Sequence, residues 1–232
     1  MLLDTLDSYS VQIFETSASG NALTEIQTTL PSSDAISIQI DTRTRHQSVL
    51  GFGGSFTEAS AHLLSSMSPT QRDRILRAYF SDEGARYSLA RTHINSCDFS
   101  RDHYAYAMMP GDTLLEHFNI EKDRNDLFPI INQAQTISRD GFRLIASPWT
   151  APPWMKDNNS WVGGKLLGAY HDTWALYYAK YVQACAENGI SIWGITVINE
   201  PHGNGNNWES MHFTPKEMTD FVRDHLGPTL ER

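Results

Sequence analysis

The sequence predicts an α/β fold, the (β/α)8 TIM barrel, with this chain carrying its first four βα units behind a set of short β-strands. Three observations predict it. From residue 48 onward, strand-like and helix-like patterns alternate, the order that builds a parallel sheet with right-handed crossovers. The unusually long loops all follow strands, as in a barrel whose functional loops sit on its C-terminal face. Neither a G-x-G-x-x-G nor a phosphate-loop signature follows the first of these strands, because Gly51-Phe-Gly-Gly54 lacks both the third glycine and the helix start. A full barrel takes about 250 residues. Four units already consume residues 48–232, so the chain is expected to be half a barrel, apparently truncated after the fourth unit and needing the remainder to close.

Residues 1–47 read as strands of a side β-sandwich, and 48–232 as the barrel half. Tyr9–Glu15 alternates polar and apolar, and Ala35–Asp41 does so more cleanly, with Ile36, Ile38 and Ile40 on one face. Ser17–Asn21 and Pro31–Asp34 have turn composition. Val49–Gly53 reads as the first barrel strand. A helix follows at Ser68-Pro-Thr-Gln71, a capping box with proline in the first turn, and its apolar stripe is Ile75, Leu76, Tyr79 and Phe80. Tyr87–Ile94 is the next strand. A second helix starts near Asp126, turns Ile130, Ile131, Ala134 and Ile137 inward, and stops by Gly141. After the strand Arg143–Ser147 and a tryptophan- and proline-rich loop, Trp174, Tyr178, Tyr181 and Cys185 fall at helical spacing up to Gly189. Ile192–Ile198 is the fourth strand, and the last helix opens with the capping box Thr214–Glu217 and stops at Gly227-Pro228.

Composition narrows the function classes. Of 232 residues, 40% are hydrophobic and 19% charged, an ordinary globular balance. With 18 Lys+Arg against 27 Asp+Glu the formal charge is −9, which disfavours nucleic acid as a partner. No apolar run approaches the roughly 20 residues of a transmembrane span, and Met1–Ser10 does not read as a signal peptide. The two cysteines make no disulfide framework, and Cys185 reads as a buried free thiol.

The strand ends are where barrel chemistry collects. Glu200, in Asn199-Glu-Pro201, follows a buried strand; a carboxyl against apolar surface there is suited to general-acid work. Asn199 can hydrogen-bond a substrate hydroxyl. In Ser147–Trp154, Trp149 offers a face for a sugar ring or packs in the core, and Trp154 leans to packing. Asp98 can take paired hydroxyls or cap a turn, and Arg91, inside a strand, calls for a carboxylate partner. Glu58, beyond the first strand, could approach the same pocket without any mark of a nucleophile. A metal-dependent hydrolase could use His93, Asp98 and His202, yet no His-x-His or His-Glu-x-x-His pair occurs among the nine histidines. The expectation is no metal and no cofactor; a non-catalytic sugar-binding module stays as the other alternative.

Gly51–Glu58, Tyr79-Phe-Ser81, Ser96–Ser100, Ala146–Met155 and Gly194–Pro201, in that order, together resemble glycoside hydrolase family 30, the glucosylceramidase-like family, and Gly164–Leu167 resembles its microbial members. The resemblance implies a retaining β-glycosidase acting on glucosylceramide-like glucosides or β-glucans. Glu200 would be the acid/base, Asn199 would contact the 2-hydroxyl, Asp98 would bind hydroxyls further round the ring, Trp149 would line the sugar subsite and Arg91 would orient the carboxylates. Retention also needs a nucleophilic carboxylate about 5–5.5 Å from the acid. In the family it ends the seventh strand, so it is expected beyond this chain, and the 232 residues alone are expected to be inactive. Localisation stays open, although relatives are often exported.

Overall fold

The computed structural model describes residues 11–27, 36–202 and 207–232. The chain divides into two compact units, Met1–Ser48 and Val49–Arg232. In the first, β1 (Ile13–Glu15) pairs antiparallel with β2 (Thr24–Ile26), Phe14 facing Glu25. Ser17 N–H donates to the Asn21 carbonyl (3.0 Å) within the connecting turn. β2 is not marked by the sequence pattern. Of the strand expected at Tyr9–Glu15, Tyr9 and Ser10 lie outside the described residues, as do Ala35 and the Pro31–Asp34 turn. The strand expected at Ala35–Asp41 does not form over its described part. Ile36, Ile38 and Ile40 are 80–91% exposed, and alternation specifies a strand only where a second layer buries one face.

The second unit is built on a parallel sheet of order β3-β4-β5-β6: Ser55–Phe56, Leu89–Ile94, Arg143–Pro148 and Ile192–Ile195. Its first strand begins later than the sequence suggests. Val49, Leu50 and Phe52 are exposed, and Gly53 crosses so close to β4 that a Cβ there would stand 1.3 Å from the Leu89 carbonyl oxygen. The end of the Val49–Gly53 run lies against the start of β4, giving the Phe52 carbonyl to Ser88 N–H (3.0 Å), and strand pairing starts only at Ser55.

Helix α1 (Glu58–Ser66) is unannounced by hydrophobic pattern but properly capped. Thr57 accepts from Ser60 N–H, and Ser60 Oγ accepts from Thr57 N–H. Helix α2 (Pro69–Phe80) starts at the expected Ser68/Gln71 box. Phe56 stacks on Phe80 at 5.4 Å, and Phe142 closes on both, so β3, α2 and the lead-in to β5 share one aromatic cluster. α3 (Glu121–Asn125) and α4 (Leu127–Ile137) are separate helices. Pro129 explains the break, since its ring opposes the Asn125 carbonyl four residues back. α5 (His171–Glu187) buries Trp174, Tyr177, Tyr178, Tyr181 and Cys185 completely. It ends as expected ahead of Gly189, whose φ of +77° suits glycine.

The last helix departs from expectation. α6 (Pro215–Phe221) opens at the Thr214/Glu217 box, but Gly227-Pro228 does not stop the chain. A π-helical turn, Val222–Leu226, carries it into α7 (Gly227–Leu230), with Gly227 N–H bonded to the Val222 carbonyl. The wider turn makes room for the ring of Pro228, which cannot donate to Asp224. No helix among the described residues is long and apolar enough to cross a membrane.

Candidate functional site

Helix α5 fixes the C-terminal ends of the strands. Tyr177 Oη donates to the Asn95 side chain just past β4, Tyr178 Oη reaches the Val197 carbonyl past β6, and Tyr181 Oη approaches the His93 carbonyl (3.4 Å). All three phenols are fully buried, and burial pushes each well up from the ordinary tyrosine range, so they stay protonated donors. Asn95 takes a left-handed φ of +64°, which asparagine tolerates, and its Nδ2 donates to the Thr150 carbonyl (3.1 Å). Past β6 the chain still follows β5: Thr196 N–H donates to the Ala146 carbonyl, and Asn199 N–H to that of Pro148 (2.8 Å). Asn199 and Glu200 are thereby held beside the end of β5.

A cavity of about 580 Å³ opens at these strand ends, and Arg91, Asp98, Trp149, Asn199 and Glu200 all line it. Arg91 organises the floor. Its Nε donates to Ser147 Oγ (3.0 Å), an Nη donates to Asn199 Oδ1 (2.7 Å), and the guanidinium lies 4.6 Å from the centre of the Trp149 ring. Ser147 Oγ also meets Thr196 Oγ1 at 2.8 Å. Because Arg91 occupies Oδ1, the Nδ2 of Asn199 is the end of the amide left to face a ligand, as a donor. Burial lowers the guanidinium's pKa, countered by charges in the cavity that include Glu200 and Asp98. The direct carboxylate partner expected for Arg91 is absent among the described residues: its hydrogen-bond partners are neutral, and the carboxylates act on it through space.

Glu200 has φ +41°, a left-handed conformation costing about 1–3 kcal/mol for a residue of this kind. It turns the chain sharply out of the strand, and the residue is exposed rather than set against apolar surface as the sequence suggested. Asp98 is exposed as well. It is not the turn cap, because Ser100 Oγ accepts from Cys97 N–H (3.0 Å) and does that work. Trp149 is 8% exposed, and its indole Nε1–H is buried without a hydrogen-bond partner among the described residues. With Arg91 over the ring, it presents an edge more than a broad platform. Trp154 packs: Nε1–H donates to the Ala107 carbonyl (2.9 Å), and the ring meets Tyr170 edge-on.

Glu58 does not enter the cavity. It is buried at the start of α1, paired with Lys122 (2.6 Å) and accepting from Arg101 N–H. His93 is fully buried and locked as the neutral Nδ1–H tautomer. Nε2 accepts from Glu58 N–H (3.0 Å), Nδ1–H donates to the Asn95 carbonyl (2.7 Å), and burial lowers its pKa. Both ring nitrogens are spent, so His93 has no lone pair for a metal. Among the described residues no group of three metal-ligating side chains comes together. Burial pushes the thiols of Cys97 and Cys185 up to about 11 and about 12.

The glycosyl hydrolase family 30 TIM-barrel domain matches residues 49–232. The mouse lysosomal acid glucosylceramidase is 39% identical over 195 residues, covering 80% of this chain and 38% of that protein. The crystal structure of SrfJ from Salmonella typhimurium superposes with a TM-score of 0.78 at 36% identity, covering 82% of this chain and 42% of that one. The endo-β1,6-glucanase BT3312 superposes with a TM-score of 0.77 at 30% identity, covering 91% and 47%. The chain spans less than half the length of each of these three.

Proposed function

Since the chain belongs to glycosyl hydrolase family 30, we propose that it supplies the acid/base side of a retaining β-glycosidase site, acting on β-glucosides or β-glucans. One observation carries the reading: Arg91 inside β4, and Asp98, Trp149, Asn199 and Glu200 past β4, β5 and β6, line one cavity. Relatives include a glucosylceramidase and an endo-β1,6-glucanase. Glu200 protonates the departing glycosidic oxygen and then deprotonates the water that releases the sugar. Asn199 Nδ2 donates to the 2-hydroxyl, Asp98 accepts from hydroxyls further round the ring, and Trp149 lines the sugar subsite. The nucleophile is supplied from outside these 232 residues, and this chain by itself does not turn over.

A 2-deoxy-2-fluoro-β-glucoside with a dinitrophenolate leaving group tests the proposal. Incubated with the full-length protein, it is expected to leave a covalent sugar on a carboxylate outside residues 1–232, found by peptide mass. A label inside these residues, or hydrolysis of β-glucosides with inversion, sinks the reading. Sugar binding without turnover by the full-length protein would favour a carbohydrate-binding module instead.

Arg91→Lys gives a second check. A lysine cannot bond Ser147 and Asn199 at once with a planar fork while lying over Trp149. Asn199 loses the contact that fixes its amide, and kcat/KM should fall about 10²-fold, the scale of a misplaced binding group. Melting temperature is to be measured alongside; a fall in stability with unchanged kcat/KM would make Arg91 a structural residue only.

A further inference from the structure

A second cavity, of about 370 Å³, adjoins the first, and Cys97 and Asp98 line both. Its walls come from two loops: Asp98, Arg101 and His103 after β4, and Asn207, Trp208 and Glu209 after β6. The two cavities meet at Cys97 and Asp98, and Asn207, Trp208 and Glu209 follow Glu200 after β6. Glu209 is 3% exposed and accepts from His103 Nδ1 at 2.8 Å, and the His103 ring stacks on Trp161 at 5.3 Å, 10° from parallel. The backbone behind them is pinned: Ser210 N–H donates to the Trp161 carbonyl (3.0 Å), and Gly163 N–H to Ser210 Oγ (2.8 Å). The Trp208 indole Nε1–H, in the same wall, is buried without a hydrogen-bond partner among the described residues.

We infer that this second cavity binds a second sugar residue of the substrate, so that the leaving or flanking group the site takes is a carbohydrate and not a lipid. The inference rests on the β-glycosidase reading above and deepens it. Carboxylate, guanidinium, imidazole and amide groups can each meet a hydroxyl, whereas among the described residues no aliphatic side chain lines the cavity to meet an acyl or sphingoid chain. An alkyl chain here would strip those polar groups of water and return no hydrogen bond. Asp98, in both walls, stands between the two sugars. The volume lies in the range of small-molecule sites.

The full-length protein is to be assayed on β-1,3-, β-1,4- and β-1,6-linked glucose disaccharides, on 4-nitrophenyl β-glucoside and on glucosylceramide in mixed micelles. Wild type should turn over at least one disaccharide with higher kcat/KM than glucosylceramide. His103→Ala and Trp208→Phe should raise KM for that disaccharide, lowering the ratio of its kcat/KM to that of the aryl glucoside about tenfold, equivalent to about 1.4 kcal/mol. Trp208→Phe trims the indole to a single ring, removing the N–H together with part of the wall it lines, and it remains informative if His103→Ala folds poorly. Preference for glucosylceramide, or parallel losses on disaccharide and aryl glucoside in both variants, overturns the inference while leaving the glycosidase reading intact. A wild-type protein inactive on every β-glucoside overturns both.

Discussion

Glu200→Gln in the full-length protein should lower kcat/KM for β-glucosides with alkyl or sugar leaving groups by about 10²–10⁴-fold, the range for loss of a positioned general acid. Glutamine keeps the length and backbone demands of a residue at φ +41° and removes only the transferable proton. The loss should track the leaving group. An alkoxide cannot depart without that proton, whereas dinitrophenolate can, so glycosylation by a dinitrophenyl glucoside should fall far less. The second step then becomes limiting, because no base activates water. The glycosyl-enzyme accumulates, and KM falls together with kcat. Azide needs no base, and adding it should restore turnover and yield the β-glucosyl azide. Equal losses on both leaving-group classes, with no azide rescue, would remove Glu200 from the acid/base role. An α-configured azide product would instead point to inversion.

The candidate site was legible because a parallel sheet collects its strand-end residues at predictable places. Arg91 lies inside a strand, while Asp98, Trp149 and Asn199-Glu200 stand just past strands that hydrophobic runs make visible. Capping boxes at Ser68/Gln71 and Thr214/Glu217 were equally readable. Helix α1 was not, because a serine, Ser60, closes its box where glutamate or glutamine is the usual sign. Residues 36–40 misled for the opposite reason: Ile36, Ile38 and Ile40 alternate without a covering layer among the described residues. Glycine-rich Val49–Gly53 read as strand, but the contact that decides it, Gly53 against Leu89, is 36 residues away in sequence. The Glu209–His103 bond spans 106 residues. Local pattern carries no trace of such pairings; only the fold brings them together.

Lys156→Met should destabilise the second unit by about 3 kcal/mol at neutral pH, the largest single-site stability effect expected here. Lys156 is 3% exposed, and its Nζ donates to Thr150 Oγ1 (2.8 Å), the Ser160 carbonyl (2.7 Å) and the Ser210 carbonyl (2.8 Å). One ammonium thus ties the loop after β5 to the loop after β6. Methionine fills much of the same volume and gives back the cost of burying a charge, but leaves the buried Thr150 and Ser210 acceptors, and the half-buried Ser160 carbonyl, without this donor, at about 1–3 kcal/mol for each buried one. The loss of three charge-assisted hydrogen bonds outweighs that relief. Burial lowers the ammonium to about 7, against an ordinary 10.5, with Asp157 opposing the shift. Between those values the unfolded chain holds a proton that the folded one releases, so Lys156 makes stability rise with pH across this window. Below about 7 both states are protonated, and above about 10.5 neither is, so its contribution is flat on either side. Subtracting the Lys156→Met unfolding curve from the wild-type curve between pH 6 and 11 isolates that slope from the other titrating groups. A flat difference would mean that the three acceptors hold the ammonium charged throughout. Ser210 is the residue next to Glu209, so loosening this tie should also weaken the second cavity, raising KM for a disaccharide more than for an aryl glucoside.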